Sequence, residues 1–566
     1  MTAARTRRRP AWAVLVVAVL MSAGCVGIPT SGPIQDGKTV VEEPGLGVAL
    51  ANDPEVDAGP QQILTGFLSA GAGGLADEFV VARKFLTPAA SAGWNPRAEV
   101  IVYPSGGPQF TEREDGSFLV TVPVSATVDS AGRFTEAVPG SRPRELVFEL
   151  VRDVNEQWRI SSLDDGVLMS AANFEFLYRP VAVYFASQDA THLVPDLRWF
   201  PTAKAPTTAA NALLEGPSSW LRDAVRTGVP DGARMRPGAV TISSGVATLD
   251  LSPEASLAGE ADRRLLATQL SATLERLPGV TDVGVTVVGV PWERATDLPL
   301  VRDPAPLSGP YVLQEDRLAV IDGKDVVPLD DAAPLTGLAA NNPAISPDGS
   351  VRVVLSGTGR LVLLPPDAAA PVTLTTGTRL IGPSIDRLGW VWTGERASTG
   401  TLTVVDSAAQ VRTVAAAWLD GRTVRSLRVS RDGARVVVVS VGSSPTDVDV
   451  DVAGIVRDED GRPQSVSEEP LSIGASLTDA TEVAWVDEVT VAVLGLSGSL
   501  SVPTMHLVPI GGPTQPLTLM EGTAGIAAGR GERALYLVDQ DGVLLSRASN
   551  SWVTVATDVR DPVFPG

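Results

Sequence analysis

The sequence predicts a multidomain chain, mixed α+β in its first half and all-β in its second, where the expected architecture is a β-propeller of five to seven blades. Three observations lead there. At 566 residues the chain is too long for one ordinary domain. Segments with helical periodicity stop near residue 300. Beyond about residue 308, short Val/Leu strands alternate with Gly/Asp turns at a regular spacing.

The elements follow in chain order. Residues 1–24 carry Arg5, Arg7, Arg8 and Arg9, then an apolar run from Ala11 to Met21, then small residues. Eleven apolar residues are too few to cross a hydrocarbon core, which takes about 20. They suit the h-region of an export signal. Ser22, Ala23 and Gly24 lead into Cys25, the only cysteine in the chain. This arrangement resembles the bacterial lipobox, although Ser22 stands where Leu, Val or Ile is usual. The resemblance implies cleavage before Cys25 and a covalent diacylglycerol and N-acyl chain on it, with no other cofactor. Such acyl chains bury about 0.8 kcal/mol per CH₂ in lipid. Residues 25–59 then read as the acylated Cys and a flexible tether rich in Gly, Pro and acidic residues.

Residues 60–180 open with Ile63, Leu64, Phe67 and Leu68 on one helical face. A second helix is expected over 77–85, ending before Pro88. Four strand-like runs follow, the last around Trp158, Arg159 and Ile160. This order resembles the NTF2-like cone fold, which serves as a catalytic pocket or as a docking module.

Residues 181–300 form a second α+β unit. Two strands flank a turn containing His192, and a helix follows with Thr207 or Thr208 as N-cap and Gly216 as its stop. A hairpin turns at Ser244-Gly245. Leu266, Leu270, Leu274 and Leu277 stripe a long helix, and Val283, Val285 and Val287 alternate along a last strand. The runs "ALLEGP", "ATLDLS" and "LATQLSATLERLPGVTDVGVTVVG" resemble the GerMN domain of bacterial envelope and spore proteins. That resemblance implies a non-catalytic scaffold or binding domain.

In residues 308–566, repeat units start at Ala344, Pro383, Leu427, Val483 and Gly525, spaced by 39, 44, 56 and 42 residues. A four-stranded blade takes about 40–45. The long interval holds residues 448–466, an enlarged hairpin. Asp-Gly in "SPDG" and "SRDG" supplies tight turns between strands. A β-sandwich is the rival architecture, and the regular spacing favours the propeller.

From "GCVGIPTSGPIQ" through the GerMN-like segment to "PSIDRLGWVWT", the chain resembles the LpqB-type lipoproteins of actinobacteria. The resemblance implies an envelope lipoprotein on the outer face of the cytoplasmic membrane. It also implies a partner: the extracytoplasmic domain of an MtrB-type sensor kinase, through which an MtrAB-type two-component system would be tuned in cell division and wall homeostasis.

Charge and side-chain inventory bound the other classes. The formal charge is −21, and −25 without the basic N-terminus, with 4 Lys against 41 Arg. No Lys/Arg stripe runs through the body of the chain, which argues against nucleic acid as a partner. His192 and His506 stand in different domains without a second His or Cys, and no nucleophile, zinc or phosphate-loop motif occurs. No catalytic residue is therefore expected. Asp447, Asp449 and Asp451 alternate with Val and share one strand face. They are a weak candidate row for Ca²⁺, against which stands the solvated face of an exposed strand. Trp390, Trp392, Trp418 and Trp485 are candidates to line a sugar site, though blade aromatics more often pack between sheets. The alternative function is a wall glycan or peptide binding protein, or hydrolase, using a propeller cleft.

Overall fold

The computed structural model describes residues 52–75, 77–292, 298–498, 502–518 and 520–566, all within one unit. Ser22, Ala23, Gly24 and Cys25 lie outside the described residues.

The first helix, Pro60–Gly73, starts where Gln62 Oε1 accepts from the Gly59 N–H, and it buries Ile63, Leu64 and Phe67. The second is shorter than the sequence suggests, only Val80–Arg83, because Phe79 before it takes a left-handed φ of 64°. Pro88, read as a terminator, instead opens a third helix, Pro88–Gly93, with the Thr87 hydroxyl as N-cap. Proline fits a first turn because its missing N–H would have no helical partner there. Two four-stranded sheets follow. One orders Phe134–Glu136, Ala126–Asp129, Glu99–Tyr103 and Val167–Ser170, the other Gln109–Glu112, Phe118–Val122, Arg144–Arg152 and Trp158–Ser162. Phe67 meets Trp94 and Phe148 at centroid distances of 5.2 and 6.2 Å. These rings fill the interior and leave a void of only about 20 Å³ beside them.

The middle segment pairs Tyr178–Ser187 with Leu193–Pro201 along their full length. The helix after them runs Ala205–Glu215, so its N-cap is Lys204 and not a threonine. Pro206 moves the start upstream. Thr207 Oγ1 instead accepts from the Val240 N–H, and the Thr208 hydroxyl donates to the Lys204 carbonyl. The hairpin turns at Ser244 (φ 51°) and Gly245 (φ 83°), the double positive φ of a type I′ turn. Strands Val246–Leu251 and Asp282–Val287 pair in parallel, with helix Glu260–Leu274 as the crossover. Leu266, Leu270 and Leu274 are wholly buried against Ala247, Leu249 and Leu251.

The remainder is a six-bladed propeller. Inner strands start at Ala340, Ser384, Thr423, Leu477, Thr523 and Arg560. The ring closes where the C-terminal strand Arg560–Val563 pairs with Tyr311–Gln314, so blade one takes one strand from the end of the chain and three from its beginning. Blades two to six follow in chain order. The extra length of blade four is the hairpin of Val448–Arg457 with Pro463–Val466, and Ser465 also pairs with Ala415 of blade three.

One face of the ring, carrying the loops from each inner strand to the next strand outward, packs on the middle segment. Val194, Trp220, Leu221 and Ala224 share a core with Val437, Val452, Val483 and Trp485. Tyr184 donates to Glu488 Oε1 at 2.6 Å, Arg387 grips both Asp189 oxygens at 2.8 Å, and Arg530 meets Asp303 at 2.7 Å. Trp199 ties all three segments: its N–H donates to Gly132 O, its indole donates to Gly511 O, and its ring packs on Phe134 and Phe174.

Candidate functional site: the propeller channel

A cavity of about 750 Å³ lies on the propeller axis. Every blade contributes to it. Its floor comes from inner strands (Ser426 and Arg428 of blade four, Thr481 and Glu482 of blade five, Gly525 of blade six). Its rim comes from the loops that join one blade to the next and the second strand to the third: Glu315, Arg396, Asp539–Gly542 and Asp558. These loops belong to the face opposite the middle segment, so the cavity opens on the free side of the ring.

The floor is charged and internally paired. Arg428 Nη2 lies 3.8 Å from Glu482 Oε1, and Glu482 Oε2 accepts from the Ile526 N–H at 3.0 Å. Both side chains sit deep in the ring yet keep a wet face on the cavity, 17% and 25% exposed. Burial pushes the Glu482 carboxyl up to about 7 despite the opposing pull of Arg428. Arg425 pairs with Asp479 and donates to Ala480 O. Arg560 meets Asp561 at 3.1 Å, and burial raises the Asp561 carboxyl.

The rim is different. Arg396 is half-buried, and its guanidinium has no hydrogen-bond or ion-pair partner among the described residues. Burial, then the nearby Arg379, hold its pKa below the usual arginine value. Glu315, Asp541 and Asp558 are exposed and lack a cationic partner among the described residues. Six blades place blade three opposite blade six and blade four opposite blade one. The cationic side of the mouth, Arg396 with Arg425 and Arg428, therefore faces the acidic side, Asp539, Asp541, Asp558 and Glu315.

The residues singled out from sequence lie elsewhere. Asp447 and Asp449 turn to one guanidinium, Arg422, with Asp449 Oδ2 at 2.6 Å from Nη2. Asp451 is 3% exposed, and its Oδ1 accepts from the Ser472 hydroxyl at 2.6 Å. Burial raises its carboxyl to about 6. Asp447 and Asp449 keep 47% and 42% of their side chains exposed, while Asp451 turns inward on a strand, Val448–Arg457, that is paired on both sides. The three carboxylates do not converge, and no metal-holding cluster of His, Cys, Asp and Glu occurs among the described residues. Trp392 and Trp485 are buried, Trp390 and Trp418 pack on the core, and none lines the cavity. His192 Nδ1 lies 2.9 Å from Thr191 Oγ1 in its turn. His506 is buried, with Nε2 2.8 Å from Ser497 Oγ. The channel residues were missed by sequence reasoning because Arg396 and Asp541 sit in loops that no periodicity selects. The available signal was turn chemistry richer in charge than a turn needs, as in "QEDR" and "DQDG".

Comparison with known proteins places these segments. Residues 53–175 match the model of the lipoprotein LpqB N-terminal domain, and residues 182–293 match that of sporulation and spore germination. Residues 316–565 match the model of the lipoprotein LpqB beta-propeller domain. A lipoprotein LpqB of Cutibacterium acnes is 27% identical over 94% of this chain and 95% of its own. One of Nocardia farcinica is 27% identical over 98% of each. Among solved structures, the first GerMN domain of the sporulation protein GerM from Bacillus subtilis is 18% identical, covering 21% of this chain and 93% of that one at a TM-score of 0.18. The middle segment is GerMN-like and the last is a propeller. With two LpqB domain models matched in order and relatives aligned almost end to end, the chain belongs to the LpqB lipoprotein family.

Proposed function

We propose that this protein is a non-catalytic accessory of an MtrAB-type two-component system, held on the outer face of the cytoplasmic membrane by acyl chains on Cys25. In this reading it binds the extracytoplasmic domain of the sensor kinase and thereby influences cell division and wall homeostasis. The observation that carries the reading is family membership over nearly the whole chain. The fold supports it with a surface suited to partners: all three segments pack together, and one propeller face stays free with its loops presented side by side. The cavity lining contains no His or Cys, and its one serine, Ser426, spends its hydroxyl as acceptor for the Val483 N–H.

Two experiments test the parts separately. Cys25→Ala is expected to move the protein from the membrane pellet to the soluble fraction without changing its fold by circular dichroism. Continued sedimentation with membranes would remove the anchor. Full-length protein in detergent micelles is expected to bind the sensor's extracytoplasmic domain saturably. No binding at tens of micromolar, on the order of weak but specific pairs, would remove the kinase as partner.

Wall peptide binding through the propeller cleft is a second reading. It is favoured by one observation, the uncompensated charges on opposite sides of the channel mouth.

A further inference from the structure

We propose that the channel mouth binds a zwitterionic, peptide-like ligand, its carboxylate on Arg396 of blade three and its ammonium groups on Asp541, Asp558 and Glu315 of the facing wall. This deepens the second reading and stands whether or not the sensor kinase is a partner.

The class of ligand follows from what each wall lacks. An arginine drawn partly out of water without a counter-ion is costly, and an entering carboxylate relieves it with a charge-assisted, bidentate pair. Arg425 and Arg428 are already committed to Asp479 and Glu482, so Arg396 is the cation left to a ligand on that side. Across the axis, Asp558 takes only the Thr557 hydroxyl, and Asp539 caps its own turn by accepting from the Asp541 and Val543 N–H groups. Asp541 and Glu315 form no ion pair among the described residues, and Arg560, the cation on their side of the cavity, is held by Asp561 and the Ala340 carbonyl. A simple anion would meet four carboxylates, and a simple cation would meet Arg396. A molecule with both charges separated satisfies both walls.

Size and lining agree. A cavity of about 750 Å³ is in the range of small-molecule sites, about 300–1,000 Å³. Its apolar patches, Leu313, Ala524, Val538, Val559 and Pro562, are small and aliphatic, suited to a peptide backbone with short side chains. No aromatic ring lines it, so the stacking platform that sugars favour is missing.

The test is calorimetric titration of the full-length chain in detergent micelles with the tripeptide lysyl-alanyl-alanine, which has two amines at one end and a carboxylate at the other. Its C-terminal amide and spermine serve as controls. Saturable binding of the free tripeptide is expected, weakened about tenfold by amidation. Arg396→Gln should cost the free peptide the same factor and cost the amide nothing further, the non-additivity expected of two halves of one contact. The double variant Asp541→Asn with Asp558→Asn should weaken both peptides alike. Absence of saturable binding up to about 10 mM would overturn the proposal. So would equal binding of free and amidated peptide, or spermine binding as tightly as the tripeptide, which would leave a cation site only. Circular dichroism of each variant, unchanged from the parent, separates lost binding from lost fold.

Discussion

The two faces of the propeller treat charge in opposite ways. On the face packed against the middle segment, the charged groups are consumed. Asp386 accepts from Arg457 at 2.7 Å and from the Trp392 indole at 3.0 Å, both in a region closed to solvent. Arg431 donates to four carbonyls, those of Trp485, Val486, Ala528 and Gly529. Arg435 pairs with Asp432 and also donates to Glu488 O. On the free face, Arg396, Glu315, Asp541 and Asp558 point at a cavity and at each other across it. The same blade scaffold thus carries charges that fix structure at one end of its axis and charges held available at the other. Stability should therefore respond to mutation on the first face and recognition on the second.

The largest expected effect is on the packed face. Asp386→Ala leaves Arg457 and the Trp392 N–H buried with a partner removed. Breaking a buried pair from one side costs about 3–5 kcal/mol. A thermal or denaturant midpoint close to that of the parent would show that the packed face is not held by its paired charges.

A smaller effect comes from the floor between the faces. Glu482 has a folded-state pKa of about 7, raised by burial from an ordinary 4.5. The folded protein then holds more protons than the unfolded chain between those values, so its contribution is fully favourable below about pH 4.5 and is lost as pH rises through 7. At about 1.4 kcal/mol per pKa unit, the loss has an upper limit of about 3 kcal/mol. Asp451, raised to about 6, and Asp561 and Glu488, also raised by burial, add slopes of the same sign. Asp189 has the opposite one: burial pushes it up, but Ser187, Arg387 and Thr191 outweigh this and hold it at about 2. Thermal midpoints at about pH 5 and about pH 8 should differ less in Glu482→Gln than in the parent. An unchanged difference would place the slope in the other groups.

Much of this arrangement was legible in the sequence, and the limits are physical. Ala344, Pro383, Leu427, Val483 and Gly525 fall in or beside the inner strands of blades two to six, because each blade repeats one local pattern of strand and turn. Ser244-Gly245 and the stripe of Leu266, Leu270 and Leu274 were readable for the same reason: turn and helix chemistry are local. Blade number is not fixed by the local pattern, because closure depends on pairing Arg560–Val563 with Tyr311–Gln314, at opposite ends of the domain. The pairing of Asp447 and Asp449 with Arg422 is not legible in the sequence, because Arg422 lies just before the inner strand of the blade, beyond the reach of a periodic pattern. The channel was invisible for a related reason. Arg396 and Asp541 become neighbours across an axis only once six blades close.

Between the faces in magnitude is Asp189→Asn, which removes the pair with Arg387 across the segment boundary. Asp189 is 38% exposed, so water screens the pair and the expected loss is about 1 kcal/mol or less. A loss as large as that of Asp386→Ala would mean that the boundary is held by this pair more than by its apolar core.

The smallest stability effect belongs to the free face, and it is the sharpest test of the comparison. Arg396 has no partner among the described residues to lose, and Arg379 nearby repels it. Arg396→Gln should therefore leave the thermal midpoint unchanged or slightly raised, within about 0.5 kcal/mol of the parent. The same substitution should abolish discrimination between a free and an amidated peptide carboxyl. A residue that packs for structure loses stability when shortened. One kept for a ligand loses only the ligand. If Arg396→Gln lowered the midpoint by an amount approaching that of Asp386→Ala, Arg396 would be a structural arginine, and the two faces of the propeller would differ in solvent exposure and not in purpose.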